Sequence, residues 1–186
     1  MDETLEKWEE RIDGQAVIFN RCPSVHHNAV TENLCCIFGN YLYGKDEIRP
    51  FLRFETWLTE KDHFIPDFMI VCDKDKIKRA CVEGAPDFVA EVLSPGTAKR
   101  DRGYKKNAYE RSGVREYWIV DPAGRSVEQY ALEDGAFTLR NVYYHYRAYE
   151  LEDMTEEERA ELVTEIRCAL FDDLSIRLED IFYYVD

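Results

Sequence analysis

Positive charge is scarce in this sequence. Its 24 lysines and arginines stand against 38 acidic residues, a formal net charge of −14 over 186 residues. So acidic a chain cannot coat nucleic acid by bulk electrostatics, and any such contact must come from a local basic patch. Long apolar runs are missing too: none approaches the roughly 20 residues that cross a bilayer. The opening MDETLEKWEERID is acidic and amphipathic, the opposite of a secretory signal. The expectation is a cytoplasmic protein with no membrane partner. The cysteines (Cys22, Cys35, Cys36, Cys72, Cys81, Cys168) show no CxxC and no zinc-finger spacing. Most sit in apolar runs and are expected to be plain buried thiols in a reducing compartment. His26, His27, His63 and His145 make no metal-ligand pattern, so packing or surface roles are expected for all of them.

What is present is ordinary for a folded globule. Hydrophobic residues make up 45% of the chain and aromatics 13%, with no low-complexity tract. At this length one domain over residues 1–186 can bury a real core. Leu5, Trp8 and Ile12 predict a short amphipathic helix from Thr4 to Arg11. Asp13-Gly14 predicts a turn and QAVIFN a strand. Ser24 predicts the cap of a helix from about Val25 to Tyr43, and FLRFETWL a strand with mixed faces. EYWIVDP, SVEQYAL and AFTLRNVYY read as strands, the last two joined by a hairpin at EDG. TEEERAEL begins like a capping box, and EIRCAL and LSIRLEDIF close the chain as a strand and a short helix or turn. This order predicts a mixed α/β sheet with helices on its faces.

The stretch from Ile65 to Tyr117 carries the chemistry. FIPDFMIVC and PDFVAEVLS have strand length, and DKDKIKRACVEGA between them is long enough for a wide hairpin. Asp67 opens the first run and Glu91 lies inside the second. After Pro95-Gly96, Asp101, Lys105 and Tyr109 recur at spacing four, hence on one helix face. An isolated carboxylate in a buried strand is costly, and a metal ion or a lysine would relieve it. Asp67, Glu91 and Lys105 therefore form either a divalent-metal site or a salt-bridge cluster. The basic segment that includes Lys99, Arg100, Arg102 and Lys106 is either a solvated helix face or the local patch that touches nucleic acid.

The blocks IPDFMIVCD and GAPDFVAEVLSPGTAKRDRGYKKNAYERSGVREYWIVDP, with the ending LSIRLEDIF, resemble the Uma-type family of "putative restriction endonucleases". EERIDG and HHNAV extend the likeness to most of the chain. That family belongs to the PD-(D/E)xK nuclease superfamily. The resemblance implies a restriction-endonuclease-like fold, binding of Mg²⁺ or Mn²⁺, and endonuclease action on DNA by a homodimer. Asp67 takes the place of the metal-binding aspartate and Glu91 of the second acid. Leu93 stands where the superfamily's usual lysine would be, which makes Lys105 the candidate from the following helix. Glu10 falls on the family's glutamate as a further metal carboxylate; Ser94, Asp101 and Tyr109 would support the site. Two rivals stay open: a nuclease-fold binding module without turnover, and an assembly role through NVYYHYRAY.

Overall fold

The computed structural model describes residues 7–20 and 23–185. The chain opens on a hairpin of β1 (Lys7–Ile12) and β2 (Gln15–Asn20). Asp13 and Gly14 close it at φ 49° and 80°, the positive pair that a tight type I′ turn requires. Ser24 caps α1 (Val25–Leu42) by accepting from the His27 amide. Then come β3 (Arg49–Leu52), β4 (Thr56–Trp57), β5 (His63–Phe64) and β6 (Phe68–Val71). A connector containing β7 (Val82–Glu83) leads to β8 (Phe88–Val92). Next follow α2 (Ala98–Arg100), a π-helical turn (Asp101–Lys105) and α3 (Lys106–Ser112) without a break. Gly113, at φ 87°, ends α3. β9 (Glu116–Asp121), β10 (Ser126–Glu133) and β11 (Ala136–Tyr144) form a meander. The chain closes with α4 (Ala148–Glu152), α5 (Glu156–Ala160), β12 (Glu165–Arg167), β13 (Ser175–Arg177) and α6 (Leu178–Ile181).

The main sheet has six strands in the order β11-β10-β9-β8-β6-β3. β8 and β9 are parallel, joined by the helical crossover, and the other neighbours are antiparallel. Alternation sorts its side chains onto two faces. Phe68, Ile70, Phe88, Ala90, Val92, Trp118 and Val120 pack with Val30, Leu34 and Phe38 of α1 and with the C-terminal elements. Met69, Val71, Val89, Leu93, Tyr117 and Ile119 pack with Phe64 and with Ala108 and Tyr109 of α3. Both faces are covered, which is why the central strands read as near-continuous apolar runs. Glu91 belongs to the row of Val89 and Leu93, so its carboxylate is carried to the α3 side. A smaller sheet, β2-β1-β5-β4-β7, brings Glu10 in from the chain's start.

The mixed α/β sheet flanked by helices is the architecture expected. Three local expectations are corrected. The segment read as a helix over residues 4–11 is strand β1 from Lys7, with residues 4–6 outside the described part. Trp8 and Ile12 share a face at a spacing of four under either period, and pairing with β2 through the tight turn decides for the strand. FLRFETWL breaks in two at Arg53 (φ 48°), whose amide donates to the Asp67 carbonyl at 3.2 Å. Among the described cysteines only Cys168 is buried; Cys36 is exposed and Cys35, Cys72 and Cys81 are half-buried, while Cys22 lies outside the described residues.

Candidate active site

Three elements converge on Lys105. The π turn and α3 hang over the main sheet, and β1 approaches from the small one. Lys105 Nζ lies 2.7 Å from Glu91 Oε1, 3.0 Å from Glu10 Oε1 and 3.9 Å from Asp101 Oδ1. Tyr109, one turn on, donates its hydroxyl to the same Glu91 oxygen at 2.7 Å. Glu10 Oε1 also accepts from the Ile65 amide at 3.1 Å, and its Oε2 sits 3.7 Å from Arg100 Nη2. Tyr117 donates to the Asp101 carbonyl and pins the π turn to the sheet. Leu93 packs with Ala108 and Tyr109, so the ammonium comes from above the strand rather than from it.

Asp67 lines the same cavity. Its Oδ2 accepts from the Val92 amide at 3.0 Å and lies 3.3 Å from His27 Nε2; Arg53 Nε is 4.0 Å from Oδ1. The cavity holds about 300 Å³ and is walled by Glu10, His27, Asp67, Glu91, Arg100 and Lys105, among others. Ser94 is in the wall as well, its hydroxyl 3.2 Å from Thr97 Oγ1.

Acids outnumber cations here, and their proton affinities respond. Burial is the chief cause that raises Glu91; Lys105 opposes it, Asp101, Asp67 and Glu10 add to it, and the carboxyl is pushed up to about 8. Asp101 is raised for the same first reason, again against Lys105. Burial works against Asp67 too, but the His27 side chain, the Val92 amide and Lys105 outweigh it and hold the carboxyl below its usual range. Burial would lower Lys105, and Glu10, Glu91 and Asp101 more than reverse it, so the amine stays an ammonium.

This donor set fits a hard divalent cation. Glu10 Oε2 and Asp101 Oδ1 are buried and have no hydrogen-bond partner among the described residues. Crowded buried carboxylates favour a neighbouring positive charge. No three His, Cys, Asp or Glu side chains among the described residues stand in a preformed cage. Mg²⁺ and Mn²⁺ keep several waters and take one or two carboxylates, so such an ion would not require three side-chain ligands.

The structure thus gathers Glu10, Asp67, Glu91, Asp101 and Lys105 around one cavity, with Tyr109 bonded to Glu91. It spreads the basic segment. Lys99 is exposed, Arg100 turns inward to Glu10 and Phe19, Arg102 pairs with Glu128 at 2.8 Å, and the Lys106 amine lies 3.9 Å from the Tyr130 ring centre. Sequence reasoning missed His27 and Arg53. His27 could have been found, because it begins the apolar face that Val30, Leu34 and Phe38 continue along α1. Arg53 carries no such signal.

Residues 1–167 match the profile of the Uma2 family, described as "Putative restriction endonuclease". The chain belongs to the Uma2 family. A relative, "Uncharacterized protein slr1290" of Synechocystis sp. (strain ATCC 27184 / PCC 6803 / Kazusa), is 30% identical over 138 residues. That alignment covers 69% of this chain and 72% of the relative. Among solved structures, one from Anabaena variabilis ATCC 29413, described as a "putative nuclease belonging to DUF820", superposes with a TM-score of 0.69. It shares 18% identity, over 95% of this chain and 90% of that one. At that identity the likeness concerns the fold alone. No described helix is long and apolar enough to cross a membrane.

Proposed function

We propose that this Uma2 protein is a divalent-metal-dependent endonuclease that hydrolyses DNA phosphodiester bonds. The observation that carries the reading is the surplus of carboxylates around a single buried lysine: Glu10, Glu91 and Asp101 are buried beside it, and half-buried Asp67 lines the same cavity. Asp67 and Glu91 would hold Mg²⁺ or Mn²⁺, with Glu10 as a further carboxylate. Such an ion, when bound, supplies charge neutralisation at the phosphate and a more acidic water. The chain's own residues do the rest. His27 and the Val92 amide fix the Asp67 carboxylate, and Tyr109 fixes Glu91. Lys105 orients Glu91 and Glu10 and offers its ammonium to the charge that develops on the phosphate. Lys99, Arg102 and Lys106 hold the flanking backbone as point charges without reading sequence, whereas Arg100, the fourth cation of that segment, is turned inward to Glu10. Cleavage of both strands is met by two copies of the chain, a homodimer acting in the cytoplasm.

A second reading has one observation behind it. Lys105 pairs with both Glu91 and Glu10, as expected of a nuclease-fold binding module whose acids serve structure. Incubating supercoiled plasmid with Mg²⁺ or Mn²⁺ separates the two. The enzyme reading expects nicked and linear DNA from the parent, and none from an Asp67→Ala, Glu91→Ala double variant or with chelator. DNA that is bound and left intact by the parent favours the binding module.

A further inference from the structure

A second cleft adjoins the catalytic cavity: Trp8 and Ile65 line both, and the cleft holds about 580 Å³. Strand register builds one of its walls. Arg11 on β1 faces His63 on β5, which faces Trp57 on β4, so their side chains stand abreast on one side of the small sheet. The Trp57 indole and His63 imidazole stack with centroids 4.4 Å apart and planes at 26°, and the Arg11 guanidinium lies 5.5 Å from the Trp57 ring centre.

Two polar atoms here make no hydrogen bond among the described residues. His63 is 7% exposed, and its buried Nε2 makes no hydrogen bond with a described residue; its nearest acid, Glu55, is 3.8 Å away. Arg53 lines the cleft and comes within 4.0 Å of Asp67 Oδ1; its Nε also lacks a hydrogen bond among the described residues. The cleft therefore opens beside the acid that would hold the ion, with guanidinium groups at two of its walls.

Stacked aromatic rings flanked by guanidinium groups form a platform for a nucleobase, because every base presents a π face whatever its identity. Glu55 also lines the cleft. A carboxylate there disfavours a phosphate inside and suits the amino edge of a base. We propose that this cleft receives an unpaired nucleobase of the DNA substrate, stacked on Trp57 beside the scissile phosphate. The substrate class is then DNA with a single-stranded portion, such as an overhang or flap, in preference to uniform duplex. This inference rests on the nuclease reading above.

The test is fluorescence anisotropy in metal-free buffer with three labelled DNAs: a blunt duplex, the same duplex with a short single-stranded overhang, and that overhang made abasic. Base stacking on an aromatic side chain supports about a tenfold preference for the overhang, lost in the abasic version. Trp57→Ala should remove the preference and leave blunt-duplex affinity unchanged, while Trp57→Phe keeps most of it. Arg11→Ala, an exposed change that spares the core, should weaken it a few-fold and guards against a misfolded Trp57 variant. Equal affinity for the three DNAs, or a preference that survives Trp57→Ala, overturns the inference. Plasmid cleavage run alongside separates the two readings. Cleavage without a preference sinks the cleft alone, whereas a Trp57-dependent preference without cleavage supports the cleft and sinks the nuclease.

Discussion

Lys105 is the residue on which the site turns, because it is buried and meets three carboxylates. Removing one partner of a buried ionic cluster costs about 3–5 kcal/mol, since the others keep their charge without compensation. Lys105→Ala should therefore melt far below the parent in metal-free buffer and recover part of the loss in Mn²⁺, while cleavage is abolished. Lys106→Ala, which gives up a contact with the Tyr130 ring and one proposed backbone contact, should bind DNA more weakly and still cut; the reverse pattern would move the catalytic role to Lys106. Glu91 predicts a pH effect. Burial raises its carboxyl from 4.5 to about 8, so between those values the folded protein keeps a proton that the unfolded chain has released. Stability must then fall as pH rises through that window, by up to about 1.4 kcal/mol per unit. Denaturant melts across the window should show a shallower decline for Glu91→Gln than for the parent; equal slopes would mean that Glu91 is ionised throughout.

At the scale of elements, the π turn from Asp101 to Lys105 sets the register in which the helix presents its side chains to Glu91. Gly103 lies within it, and a Cβ there would meet nothing within 4 Å. Gly103→Ala should stabilise the protein by about 0.5–1 kcal/mol through the unfolded state. A lower melting temperature would show that the turn depends on glycine. Much of this was legible in the sequence. Alternation in PDFVAEVLS placed Glu91 on a buried strand, and spacing four placed Asp101, Lys105 and Tyr109 together. Glu10 was found, but on the wrong element, because Trp8 and Ile12 satisfy both helical and strand periods and only pairing with β2 separates them. Arg100 read as a DNA contact, since a string of cations does not say which member turns inward to Glu10. The contact of His27 with Asp67 joins α1 to the residue that precedes β6, and no local pattern encodes such a meeting.

For the whole molecule, a net charge of −14 makes DNA affinity depend on few contacts. Neutralising Lys99 and Arg102 together should flatten the slope of log affinity against log salt by up to about two. Arg100, engaged with Glu10, should add little, and an unchanged slope would place the DNA surface elsewhere. The account rests most on the acids' demand for a cation, and thermal melting with Mn²⁺ tests that without a substrate. An ion bound only by the folded state at ten times its dissociation constant stabilises by about 1.4 kcal/mol, roughly 3–6 °C for a chain of this size. The parent should show that shift, and Asp67→Asn, with one charge fewer at nearly constant shape, should melt at or above the parent without metal and show none. A parent indifferent to millimolar Mn²⁺, together with an Asp67→Asn variant weakened in its absence, would contradict the metal site and leave a salt-bridge cluster in its place.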